Sequence, residues 1–227
     1  GEFAGKYITG AYYVYKLTGD AELYAYIRRF IAELIETVDS DGYAGCYSRE
    51  CRLTGAFSQK PEETGKTWDA WSHYHMMVGL LLWSRETGDA AMRETLLRIA
   101  ELFIGTFYRG KKKLSEIGWT EMNLAPIHAF SLLYEETGDK KYLDFALEIE
   151  KDLSSSNAGD YVEHALAGGE FYTCAKPRWE SLHAVMGIAA LYRCTGDEKY
   201  LRAAKQIFYS ILKTDVHNTG GFSTREQ

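Results

Sequence analysis

The amino-acid sequence predicts an all-α chain, an (α/α) toroid of antiparallel helix pairs with four of an expected six pairs present. Three observations carry that expectation. The tripeptide Thr-Gly-Asp occurs four times, each copy joins two segments of helical apolar periodicity, and only 3 prolines interrupt 227 residues.

The tripeptides lie at Thr18-Gly19-Asp20, Thr87-Gly88-Asp89, Thr137-Gly138-Asp139 and Thr195-Gly196-Asp197. Glycine accepts the left-handed conformation that closes a helix, and the aspartate after it caps the next helix and complements its dipole. Each tripeptide therefore reads as a hinge between antiparallel neighbours. The predicted pairs span 3–38, 67–108, 121–153 and 179–213, with hinges dividing them near 19, 88, 138 and 196. First helices are apolar over most of their surface, as in His75–Trp83 and Ala184–Tyr192, which predicts burial. Second helices alternate apolar and charged residues, as in Met92–Phe103, which predicts one face in solvent. An inner ring backed by an outer ring follows. Successive hinges lie 69, 50 and 58 residues apart, less uniform than a superhelical solenoid. At about 59 residues per pair, a closed six-pair ring needs roughly 350, so the chain is expected to be one partial barrel domain.

Composition narrows the function classes. Apolar residues make up 46% and charged residues 26%, and the net charge of −6 argues against a phosphate-tracking, nucleic-acid-binding face. No run approaches the ~20 apolar residues of a membrane span. The four cysteines, Cys46, Cys51, Cys174 and Cys194, form no CxxC pair and no zinc spacing, although Cys46 and Cys51 are close enough in sequence to pair. The chain opens Gly1-Glu2-Phe3 without methionine, so its compartment is not legible. With 17 Tyr and 5 Trp, the chain is rich in side chains that combine a flat apolar face with a polar edge.

Three predicted first helices open on a shared theme. The third helix begins Trp68-Asp69-Ala70-Trp71, with His73 and His75 following. The fifth begins beside Trp119 and Glu121, with Asn123 and His128 further in, and the seventh begins Trp179-Glu180, then His183. Trp68, Trp71 and His75 stand at i, i+3 and i+7, so they are expected to share one helical face. Carboxylates and imidazoles hydrogen-bond sugar hydroxyls, and a Trp face stacks on a sugar ring, so an oligosaccharide or glycoside is the expected partner. Each position also has a structural reading, with the acids as first-turn dipole partners and the tryptophans closing loops. Asp39–Gly45 reads first as a turn, and Lys111–Lys113 as a solvated loop. There is no Gly-rich phosphate loop, nucleophile elbow or HExxH motif.

These segments, taken in order, resemble the β-L-arabinofuranosidase family, glycoside hydrolase family 127. The resemblance is carried by Gly1–Tyr7, Asp41-Gly-Tyr-Ala-Gly45, Trp68-Asp-Ala-Trp71 with Gly79-Leu-Leu-Leu, Leu133–Ala146, Trp179-Glu180 before Leu191–Leu201, and Thr219-Gly-Gly. It implies an (α/α)₆ barrel and hydrolysis of sugar residues with retention, on plant-type glycans. It implies that Glu226 corresponds to the family's general acid and that His75 contacts sugar. It also implies, for the complete family member, a cysteine thiolate nucleophile held on zinc, which takes the place of the second carboxylate of the usual glycosidase pair. The four cysteines here do not match that cluster, so no cofactor is assigned to this chain. Arg225 stands where the family pattern has glycine.

Two other readings fit the residues. A toroid epimerase or unsaturated uronyl hydrolase uses His pairs or a carboxylate inside the ring. A non-catalytic carbohydrate-binding or scaffolding module needs only the aromatic rim. The oligomeric state is open, and an unclosed helical edge predicts self-association.

Overall fold

The computed structural model describes residues 1–60 and 65–222. It divides into two compact units, Gly1–Tyr108 and Arg109–Gln227. Among the described residues the chain is helical, and the only β-type pairings are isolated bridges, Ala56 with Lys66 and Val216 with Phe222.

In the first unit α1 (Glu2–Thr18) and α2 (Ala21–Glu36) form one hairpin, and α3 (Asp69–Thr87) and α4 (Ala90–Phe107) the other. The second unit contains α5 (Thr120–Asn123), α6 (Pro126–Thr137), α7 (Lys140–Asp152), α8 (Tyr161–Leu166), α9 (Ser181–Thr195) and α10 (Glu198–Thr214). The hinges are built as their chemistry requires. Gly19, Gly88, Gly138 and Gly196 have φ of 65°, 67°, 68° and 71°. The aspartate after each accepts a backbone N–H from the following helix: Asp20 from Leu23, Asp89 from Ala91 and Met92, Asp139 from Lys141 and Asp197 from Lys199. The threonine adds a clamp. In all four hinges its hydroxyl donates to the carbonyl four residues back and accepts the N–H of the aspartate, at 2.7–2.9 Å and 3.1–3.2 Å. Threonine thus adds a second donor to a carbonyl in the last turn of the closing helix and satisfies the amide that starts the next.

First helices approach one another through glycine. A Cβ on Gly5 would stand 2.3 Å from the His75 carbonyl carbon, and one on Gly79 would stand 2.4 Å from the Ile8 side chain. These absences let α1 lie against α3, where the Trp83 indole donates to the Ile8 carbonyl at 2.7 Å. In the second unit Gly187 of α9 receives Ile127 of α6, again with 2.4 Å to a notional Cβ.

Three expectations need correction. The continuous helix from 121 is two helices, because Pro126 has no N–H to give to Met122 and its ring crowds that carbonyl. The third and seventh helices begin at Asp69 and Ser181, so Trp68 and Trp179 precede their helices. Burial of first helices holds for α3 and α6 but not for α1, which buries only Gly5, Ile8 and Ala11. The stretch between the third and fourth pairs holds α8 as well, closed by Gly168 at φ 80° and packed on α10.

Candidate functional site

The predicted residues of the first unit gather around the start of α3. Asp69 is buried, and its carboxylate accepts from the Leu53 amide at 2.8 Å, the Thr67 hydroxyl at 3.1 Å and the Tyr43 hydroxyl at 3.3 Å. All three donors belong to the chain, so this carboxylate staples the 43–53 loop to the helix. His73 does the same from the next turn. Its Nε2 accepts from the Ala44 amide at 2.8 Å, so its Nδ1 carries the proton and donates to the Asp69 carbonyl at 2.6 Å. Burial holds this imidazole's pKa down. Asp39–Gly45 is thereby a clamped turn, with Arg52 paired to Asp39 and lying 4.2 Å over the Tyr43 ring.

Trp71 and His75 lie one turn apart on α3, both buried, with ring centroids 4.2 Å apart edge to face. Trp68 sits at the N-cap with φ −124° and ψ 41° and 39% exposure, its indole donating to Glu2 at 3.1 Å. The structure brings Trp71 and His75 together, and the Glu2 carboxylate holds the side chains of both Trp68 and Trp71.

The second unit holds a denser arrangement. Trp119 adopts the left-handed region at φ 41°, which is costly for a residue with a Cβ and places α5 directly behind it. Glu121, the second residue of α5, has a side chain 1% exposed. It is held by the Lys176 ammonium at 2.7 Å and the Arg178 guanidinium at 3.1 Å. Lys176 is itself left-handed at φ 58° and also donates to the Thr120 hydroxyl at 3.0 Å. Two cations on one buried carboxylate leave the group with a net positive charge. Neither cation is among the residues the sequence motifs point to. The available signal is Lys176-Pro177-Arg178, two basic residues around a proline directly before the Trp179-Glu180 helix start.

Trp179 is 41% exposed and meets the His183 ring edge-on at 5.7 Å. Glu180 has one carboxylate oxygen, Oε2, buried without a hydrogen-bond partner, and the same holds for Nε of Arg178. Asn123 is buried, and its amide donates to the Gly118 carbonyl at 2.8 Å, which fixes the turn before Trp119. The second unit therefore gathers an accessible aromatic face, an imidazole, carboxylates and a guanidinium, a set suited to a polyhydroxylated ring.

His128 lies behind this cluster on α6. Its pKa is pushed down to about 3, first by burial and then by the charges of His183 and Arg193. An unfolded imidazole titrates near 6.5, so between pH about 6.5 and 3 the unfolded chain binds a proton that the folded chain refuses. Stability therefore falls as pH drops through that window, by at most ~1.4 kcal/mol per pH unit from this residue. Urea midpoints at pH 7 and pH 5 should differ less in His128→Gln than in the parent, and an unchanged difference would place the proton elsewhere.

Glu226 lies outside the described residues. The chain leading to it makes a tight turn, in which the His217 amide donates to the Gly221 carbonyl at 2.8 Å and Phe222 packs on Phe171 at 6.0 Å. Zinc does not fit the residues that are described. No three His, Cys, Asp or Glu side chains among them converge as a metal cluster. Burial pushes the thiols of Cys174 and Cys194 up to about 12 and about 11. All four cysteines are free thiols, Cys46 and Cys51 included. No helix among the described residues is long and apolar enough to cross a membrane.

Solved structures share this helical architecture. A GH127 β-arabinofuranosidase superposes with a TM-score of 0.68 at 22% identity, covering 98% of this chain and 36% of that one. A GH127 β-L-arabinofuranosidase from Geobacillus stearothermophilus T6 gives 0.66 at 18%, with 98% and 37% covered. A further glycoside hydrolase gives 0.62 at 16%, with 97% and 33% covered. The chain thus spans about a third of the length of the proteins it resembles in fold. No curated protein sequence matches it. The family model for the β-L-arabinofuranosidase GH127 catalytic domain matches residues 1–227 throughout. With hinges, helix starts and the final Gly-Gly turn all inside that match, the chain belongs to the GH127 β-L-arabinofuranosidase family.

Proposed function

We propose that this chain forms part of the catalytic domain of a retaining glycoside hydrolase acting on plant-type glycans, with its helix pairs contributing to an (α/α)₆ ring. The observation that carries this reading is the family-model match over residues 1–227. The second unit supplies the chemistry that supports it. Trp179 offers a ring face to a sugar, His183 and Glu180 offer hydrogen-bond partners beside it, and the Lys176–Glu121–Arg178 group fixes the local charge. Glu226, which lies beyond Phe222 in the sequence, is assigned the general-acid role by the family resemblance. The zinc-held thiolate of the family is not assigned to any residue of this chain.

Sugar binding is testable on the 227-residue chain. Tryptophan emission should change on titration with methyl arabinofuranosides, saturating with a Kd on the order of millimolar. The change should shrink severalfold in Trp179→Ala and be weak with cellobiose. An emission change that Trp179→Ala leaves intact, or no change at all, would count against a sugar subsite at this helix start.

A further inference from the structure

The stretch from Lys176 to Glu180 leads into α9 and carries the Trp179 ring. No helix covers it, and Lys176 stands in the left-handed region at φ 58°, which a residue with a Cβ adopts at a cost. Its shape is therefore set by what holds it. The Tyr161 hydroxyl donates to the Ser181 hydroxyl at 2.7 Å, and Ser181 donates to the Lys176 carbonyl at 2.8 Å. The same carbonyl accepts the Arg178 amide at 2.8 Å. These bonds fix the backbone.

The side chains are fixed by one carboxylate. Glu121 Oε2 takes Lys176 Nζ, and Oε1 takes Arg178 Nη1, so each oxygen anchors one of the two basic residues ahead of Trp179. The base of Glu121 is itself set, by left-handed Trp119 on one side and the Asn123–Gly118 bond across the turn. Thr120 beside it donates to the Asn157 carbonyl while accepting Lys176 Nζ at 3.0 Å. From Lys176 to Ser181 the one exposed side chain is Trp179.

Stability alone does not call for charge at this place. Desolvation offsets much of the attraction in a buried ionic group, and well-packed apolar side chains often serve as well. What charge-assisted hydrogen bonds add is direction, which apolar contact lacks. We propose that Glu121 is a positioning residue for the sugar subsite, fixing the approach to α9 through Lys176 and Arg178 so that the Trp179 ring and the His183 imidazole are set before sugar arrives. The role rests on the reading of Trp179 and His183 as the sugar-facing pair. A segment ordered in advance loses little freedom on binding, so the effect falls on affinity.

Two variants separate position from stability. The triple variant Glu121→Leu with Lys176→Met and Arg178→Leu puts apolar packing in place of the ions, and Glu121→Gln removes the charge while keeping the size. The indole N–H peak of Trp179 in proton–nitrogen NMR spectra, identified by its loss in Trp179→Phe, reports how the ring lies against His183 in the sugar-free chain. In both variants this peak should shift and broaden, and in the triple variant it should do so at a near-parental urea midpoint. The Trp83 indole, bonded to Ile8 in the first unit, should keep its peak. The Kd for methyl arabinofuranoside should rise roughly tenfold in both variants, the scale of ordering one or two side chains on binding. A parental Trp179 peak in either variant would overturn the proposal, and so would a parental Kd in the triple variant. Movement of the Trp83 peak as well would show general loosening and overturn it too. Glu121→Gln carries the test alone if the triple variant does not fold. A parent chain that binds no arabinofuranoside would sink the sugar reading, while the Trp179 peak would still decide whether Glu121 sets the ring.

Discussion

Replacing Glu226 by glutamine in the full-length polypeptide is expected to reduce glycoside hydrolysis by ~10²–10⁴-fold, the usual contribution of a positioned general acid. Glutamine keeps the size and the hydrogen-bonding reach of the side chain but has no proton to give a departing alkoxide. In a retaining hydrolase the same carboxyl later activates the water that releases the enzyme-bound sugar, so both halves of the reaction suffer. The two halves respond differently to substrate. An arabinofuranoside with a 4-nitrophenolate leaving group needs little protonation, so its first step should be spared and the second should limit. An alkyl arabinoside should be slowed in the first step. Glu226 follows the Val216–Phe222 turn and the substitution preserves side-chain size, so thermal unfolding should be unchanged. Unaltered hydrolysis of both substrates would remove Glu226 from the acid role.

The second large effect concerns stability. Glu121→Ala should destabilise the fold by about 3 kcal/mol, because it leaves Lys176 and Arg178 facing each other around an uncompensated site. Breaking a buried ion pair from one side costs ~3–5 kcal/mol; here Lys176 is 33% exposed and recovers some hydration, which puts the loss at the lower end. Glu121→Gln should fall between, keeping an acceptor for one cation without the charge. The triple variant Glu121→Leu with Lys176→Met and Arg178→Leu should regain most of the loss, since apolar replacement of a buried ionic group is often neutral. Urea denaturation of the parent and the three variants measures this directly. A loss below about 1 kcal/mol in Glu121→Ala would mean that the carboxylate is hydrated and the group is not a structural anchor.

How much of this is legible in sequence depends on how far apart the interacting residues lie. The hinges are readable because each operates within about seven residues: the glycine, the aspartate cap and the backbone they satisfy are neighbours in the chain. Even there the hydroxyl clamp of Thr18, Thr87, Thr137 and Thr195 emerges only from the structure, although its spacing from the carbonyl four residues back is a local feature. The helix starts at Trp68 and Trp179 differ from the sequence expectation by a residue or two, and the break before Pro126 is absent from it. An X-Pro step between two apolar stretches is the available cue.

The candidate site divides differently. Asp69 and Glu121 look alike in sequence, each an acid in the first turn of a first helix beside a tryptophan. In the structure Asp69 is occupied by donors 16 and 26 residues upstream, while Glu121 is clamped by cations 55 and 57 residues downstream. Nothing in either motif distinguishes a loop staple from an ion group, because the distinction resides in partners brought by other segments.

By itself, then, the sequence determined the helix pairs, their hinges and the family, since these rest on short-range backbone chemistry and on the order of motifs along the chain. Only the tertiary structure decided which apolar faces are covered and which acids retain an unbonded oxygen atom. Ile8 and Val185 each stand ten positions ahead of their hinge threonine, Thr18 and Thr195, yet Ile8 is buried against Gly79 and Val185 lines an apolar groove between α9 and α10, because burial depends on what packs against a side chain and not on the residue alone.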